Sequence, residues 1–169
     1  MNITIEKAKV SDAAGVLEYL KKIGGETDNL TFGEEGLPFG VEDEKKYIKS
    51  LENSTSSVMF LAKYDGQIIG DASFSSSPRE RIKHRGELAV SVVKAYWGQG
   101  IGSRLMENII DFAKNVAGCE IIHLQVKSDN ERAINLYKKY GFEKIGQFKG
   151  YLKIDGEYID CDLMNLYIK

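Results

Sequence analysis

Leu88-Ala89-Val90-Ser91-Val92-Val93 runs, after a three-residue turn, into Trp97-Gly98-Gln99-Gly100-Ile101-Gly102 and then a helical pattern. The first run is apolar and β-branched, which predicts a buried strand. Beyond the turn, Ile101, Leu105, Ile109, Phe112 and Val116 recur at helical spacing, and Gly118 closes the pattern. Glycines between a strand and a helix let backbone N–H groups approach a ligand without interference from Cβ. The helix start adds unpaired N–H groups and a positive dipole end, which suit a phosphate or diphosphate. The same glycines also fit a plain tight turn. Spacing removes two nucleotide readings. A Walker loop needs GxxxxGK[ST], and Ser103-Arg104 does not supply Lys followed by Ser or Thr. A dinucleotide fingerprint needs GxGxxG, but the third glycine would fall on Ser103 or Leu105.

Downstream, residues 119–127 read as the most apolar strand, and Ser128-Asp129-Asn130-Glu131 has the spacing of a capping box between Ser128 and Glu131. The helix that follows carries Ala133, Ile134, Tyr137 and Tyr140 on one face and stops at Gly141. Residues 142–148, 151–154 and 157–168, with Asp155-Gly156 between the last two, predict a closing meander. Upstream, Asp65-Gly66 joins 58–64 to 67–75 as a hairpin. Residues 43–51 predict a helix with Tyr47, Ile48 and Leu51 inward. A first helix, capped at Ser11-Asp12 and apolar at Ala13, Val16, Leu17, Leu20 and Ile23, follows a short strand at Ile3 and Ile5 and is stopped by Gly24-Gly25. Residues 24–40 then form a glycine-rich, acidic loop of the length associated with binding loops. The order βα, α, three mostly antiparallel strands, then αβαββ predicts one α/β (α+β) domain over residues 1–169.

Composition narrows the function. With 169 residues, 43% hydrophobic, 28% charged and only two prolines, the chain has the make-up of a folded domain. A net charge of −2 argues against a nucleic-acid-binding surface, and the short basic run 79–85 is mixed with Glu80 and reads as a solvated loop. No apolar stretch approaches the roughly 18 residues of a membrane span, and the start lacks the layout of a secretion signal. Cys119 and Cys161 make no CxxC or framework spacing, so the expectation is a reduced, cytoplasmic protein. His84 and His123 are the only histidines and have no partners at ligand spacing, so no metal is expected. Nor is there a Ser–His–Asp or Cys–His arrangement for a covalent acyl-enzyme.

The glycine loop resembles the Gln/Arg-x-x-Gly-x-Gly/Ala hallmark of the GNAT superfamily of N-acetyltransferases, with Trp97 standing where that pattern has Gln or Arg. A second segment, Asn130-Glu131-Arg132-Ala133-Ile134-Asn135-Leu136-Tyr137-Lys138-Lys139-Tyr140-Gly141-Phe142, resembles the family's Asn-x-x-Ala-x-x-x-Tyr-x-x-x-Gly-Phe. The resemblance is sharp from Glu87 to Phe142 and follows element order from Ile3.

It implies a mixed, mostly antiparallel sheet flanked by helices, with central strands splayed to bind acetyl-coenzyme A as co-substrate. Main-chain groups around Val90, Ser91 and Val92 would hold the pantetheine arm and polarise the thioester carbonyl. Gly98, Gln99, Gly100, Ile101, Gly102 and Ser103 would grip the diphosphate. Asn130 would cap its helix and contact the coenzyme, and Tyr137, a phenol with a reference pKa of about 10, would protonate the departing thiolate. An attacking amine must also lose a proton. Glu87 is the first choice as base, with Glu26, Asp28, Glu34 and Glu35 in the loop as further candidates; Gln125, where some relatives have an acid, cannot serve. The expected acceptor is a small-molecule amine or a peptide, and the closing meander offers an edge for a homodimer. A different acyl group, a protein N-terminus as acceptor, and a non-catalytic acyl-coenzyme A sensor remain as alternatives.

Overall fold

Seven strands form one sheet in the order β1-β2-β3-β4-β5-β7-β6, in a computed structural model that describes residues 1–168. The strands are β1 (Ile3–Lys7), β2 (Ser57–Tyr64), β3 (Gln67–Ser76), β4 (Arg85–Val92), β5 (Ile121–Lys127), β6 (Glu143–Ile154) and β7 (Glu157–Tyr167). The helices are α1 (Ala13–Glu26), α2 (Val41–Leu51), α3 (Ile101–Asn115) and α4 (Glu131–Lys139). Two hairpins follow from dipeptides that tolerate positive φ: Asp65 and Gly66 at +49° and +75°, Asp155 and Gly156 at +50° and +82°. Alternation then sorts the two faces. Val58, Phe60, Ala72, Phe74 and Leu88 pack beneath Leu105, Ile109 and Phe112 of α3, while Met59 and Leu61 meet Val16 of α1 and Ile48 of α2 on the other face.

Every neighbouring pair is antiparallel except β4 and β5, which run parallel. That parallel pairing lasts only three rungs, Arg85↔Ile121, Gly86↔Ile122 and Glu87↔His123. Both strands continue beyond it, so the sheet opens as a wedge from Leu88 and Leu124 onward. The splayed pair expected from the sequence is thus present.

Several local expectations are corrected. Gly24 and Gly25 do not stop α1, which runs on to Glu26. A Cβ at Gly24 would collide with the Gly33 carbonyl, so the glycine instead lets the following loop fold back onto the helix. On α2 Ile48 and Leu51 face inward as expected, joined by Glu44 one turn before Ile48, while Tyr47 is 44% exposed. Val116 lies just past the end of α3 and is exposed. The Ser128–Glu131 box does not form: the Asn130 side chain accepts from the Ala133 N–H at 3.3 Å, and the Ser128 hydroxyl donates to Asp162 at 2.7 Å. The first two strands of the expected meander are one strand, β6, bent where Gly150 takes a φ of +71° between Phe148 and Leu152.

Candidate functional site

The wedge between β4 and β5 opens into a cleft of about 670 Å³, walled by the glycine loop and α4 on one side and by residues 26–32 and Tyr151 on the other. Register decides which main-chain groups face it. The Val93 N–H donates to the Ile69 carbonyl at 2.9 Å, and β3 and β4 pair without a shift from there to Ser76 and Gly86. In an antiparallel ladder this turns the N–H and C=O groups of Glu87, Ala89 and Ser91 toward β3. Those of Val90 and Val92 face the wedge, where β5 no longer reaches them. The three residues singled out from the sequence therefore divide. Val90 presents a free N–H and C=O and Val92 a free N–H, its carbonyl being taken by the Trp97 indole, whereas Ser91's main chain belongs to the β3 ladder and only its side chain is available to the acceptor side.

The loop before α3 is equally open. None of the amides from Gly98 to Ser103 donates a hydrogen bond within the described residues, and the first one used is Arg104, bonded to the Gly100 carbonyl at 3.1 Å. Gly98 and Gly100 have φ of +78° and +77°, which explains the glycines; around both, the space a Cβ would take is clear. Gly102 serves packing, since its Cβ would sit 3.2 Å from Leu136 on α4. Ile101 is buried and offers its amide alone, and the exposed Gln99 side chain lies outside the cleft wall. Consecutive unpaired amides at the start of a 15-residue helix fit a diphosphate.

Across the cleft, α4 brings Asn130 and Tyr137 into the wall. Tyr137 is 6% exposed and packs its ring against Phe142, centroids 5.9 Å apart. Its hydroxyl has no partner among the described residues, and burial pushes its pKa up to about 12, so it holds its proton through the physiological range. Tyr140 is engaged elsewhere, its hydroxyl donating to the Ser103 carbonyl at 3.1 Å. Glu87 faces the cleft at the closed end of the wedge. Of the other acidic candidates, Glu26 accepts from the Lys94 N–H at 3.0 Å and Glu35 from the Gly33 N–H at 2.9 Å, so both hold main chain in place.

Two features escaped the sequence reading. Arg132 lies in the cleft wall with its guanidinium 4.7 Å from the centre of the Trp97 ring, and the indole N–H is fixed by the Val92 carbonyl at 2.8 Å. The absence of Gln or Arg at position 97 was the available signal that a cation had to come from another element. The second feature is a polar chain behind the floor. The Ser91 hydroxyl donates to the Asp71 carboxylate and lies 2.8 Å from the Tyr19 hydroxyl.

A wedge in the sheet, a collar of free amides and a protonated phenol on the facing helix thus border one cleft. Residues 27–142 match the model of the acetyltransferase (GNAT) family, and the chain belongs to that family. It is 35% identical over 104 residues to an L-amino acid N-acetyltransferase of Escherichia coli, covering 62% of this chain and 64% of that protein. It is 32% identical over 95 residues to an N-alpha-acetyltransferase of Mycobacterium tuberculosis, covering 56% of this chain and 58% of that one. The matches thus span about three fifths of these curated relatives. Among solved structures, an acetyltransferase of the GNAT family from Streptococcus pneumoniae superposes with a TM-score of 0.95 at 29% identity, over 99% of this chain and 100% of that one. A putative acetyltransferase from Salmonella typhimurium, solved with its cofactor acetyl-CoA, shares the fold at 0.85 and 21% identity, over 100% and 95% of the two chains.

Proposed function

We propose that this chain transfers the acetyl group of acetyl-coenzyme A to a primary amine of a small molecule or peptide by direct attack. The observation that carries this is that two sets of unpaired donors, the amides at 98–103 and the wedge-facing amides of Val92 and Val90, border one cleft. The loop amides would take the diphosphate, with Arg132 adding charge beside them and Asn130 flanking the same path. Along the wedge the pantetheine arm, which carries amides of its own, would pair with β4 in place of β5. The Val90 N–H would then meet the thioester oxygen where negative charge develops. Tyr137 gives its proton to the leaving sulfur. Glu87 and Ser91 lie on the acceptor side of the floor, where an ammonium would be drawn to the carboxylate. The names of the relatives, an amino acid acetyltransferase and an N-alpha-acetyltransferase, both support an amine acceptor.

Calorimetry with coenzyme A, paired with a thiol-release assay over amino acids, polyamines, aminoglycosides and peptide N-termini, tests the reading. Tyr137→Phe is expected to keep coenzyme affinity and lose about 100-fold in kcat, the lower range for a general acid. A wild-type protein with no affinity for coenzyme A would overturn it.

A further inference from the structure

The structure assigns the acceptor amine's proton to a route through the Ser91 hydroxyl into the Asp71 carboxylate, with Tyr19 orienting the pair. This rests on the acetyl-transfer reading above. Ser91 is the position on β4 where the wedge is already open and the side chain faces the acceptor side of the cleft. Its hydroxyl proton is committed to Asp71, its partner across the β3–β4 ladder. Since Ser91 has one proton to give, the Tyr19 hydroxyl donates to Ser91 Oγ in the 2.8 Å contact. One lone pair on Oγ is then left, and it belongs to a side chain in the cleft wall. A hydroxyl that donates to a carboxylate on one side and can accept on the other is wired for proton transfer. Glu87 lies four residues earlier, about 13 Å along the strand, on the last closed rung opposite His123.

The step balances without a further reactant. The ammonium N–H proton passes to Ser91 Oγ as the Ser91 proton passes to Asp71 Oδ1, leaving a neutral amine and a carboxylic acid. The nitrogen lone pair forms the C–N bond, the C–S bond breaks with its electrons on sulfur, and sulfur takes the Tyr137 proton; the acylated nitrogen sheds its second proton, which restores the Tyr137 phenol through solvent. Asp71 afterwards returns its proton to solvent. The groups facing Asp71 are Ser91 from β4, Tyr19 from α1, and Glu44 and Tyr47 from α2, and none of them is a cation. Across the other ladder its partner is Leu61. Burial without a compensating positive charge raises the carboxyl to about 6, so it is mostly ionised at neutral pH yet binds a proton more readily than an exposed aspartate. Glu44 and Tyr47 are raised too, in both cases through burial first and Asp71's charge as well.

The test is the pH dependence of kcat in the thiol-release assay, with saturating acetyl-coenzyme A and the amine that turns over fastest on the panel. Wild type is expected to lose rate as pH falls through about 6, because a protonated Asp71 cannot accept. Asp71→Asn should lower kcat by about 100-fold and abolish that acid limb while coenzyme affinity by calorimetry stays within twofold. Ser91→Ala should likewise depress kcat, and Ser91→Thr, which restores a hydroxyl on a strand, should recover most of it; this pair also serves if the Asp71 variant fails to fold. An acid limb that survives Asp71→Asn and disappears in Glu87→Gln, or a Ser91→Ala enzyme with wild-type kcat, overturns the relay. If wild type binds coenzyme A but releases no thiol with any amine, the transfer reading falls and the relay with it.

Discussion

Trp97 stands where the resembled motif carries Gln or Arg, and the cation arrives from α4 instead. Arg132 rests on the indole face, and the indole is itself tethered to β4, so the guanidinium is held beside the glycine loop. A cation over an aromatic face is worth about 0.5–2 kcal/mol depending on exposure, and its charge acts on the anion as well. Arg132→Ala should therefore raise the coenzyme A Kd about tenfold, equivalent to about 1.4 kcal/mol, with little change in kcat; calorimetry and saturation kinetics separate the two. This scale shows where sequence reading succeeds and where it runs out. The loop 98–103 was legible because its chemistry lies in consecutive amides, and glycine spacing reports those directly. The Ser91–Asp71–Tyr19 chain was not, because its members stand 20 and 72 residues apart and meet only through sheet register and helix docking. Glu87 was legible as an acid on the right strand, but its place at the closed end of the wedge depends on where β4 and β5 part.

Among the elements, α1 and its trailing loop behave as one unit. The glycine pair in α1 looks like a stop in sequence because glycine weakens a helix interior by about 1 kcal/mol. Here the helix continues and the missing side chain is filled by the loop's own backbone at Gly33, with Phe32 beside it. The loop wall of the cleft is thus pinned to α1 by a close main-chain approach, and the Glu35 contact to the Gly33 N–H braces the loop internally. Gly24→Ala should push that wall outward, costing about 1–3 kcal/mol in urea denaturation. It should also speed proteolytic cutting within residues 27–40, while coenzyme affinity changes less than acceptor KM. The face of α2 was misjudged for a related reason. Hydropathy favours Tyr47 over Glu44, yet the helix is oriented by Ile48, and Glu44 shares that side one turn away. The succession of elements along the chain, both Asp-Gly hairpins and the long amphipathic α3 were readable because each is written in local chemistry.

At the scale of the whole molecule, the sheet is two blocks, β1-β2-β3-β4 and β5-β7-β6, joined in the ladder by three rungs. With free coenzyme at 100 times its Kd, mass action adds about 2.7 kcal/mol to stability. Hydrogen exchange should show protection concentrated at the amides of Val90 and Val92; protection confined to residues 98–103 would place the arm elsewhere. A strand with unsatisfied donors normally marks the rim of a sheet, where it invites pairing with other chains. Here the unsatisfied margin is interior, between β4 and β5, with the glycine loop and α4 walling the cleft on one side and the α1 loop and Tyr151 on the other. Unsatisfied donors are thereby kept where a slender, amide-bearing tether would reach them along the cleft, away from the outer margins of the sheet at β1 and β6.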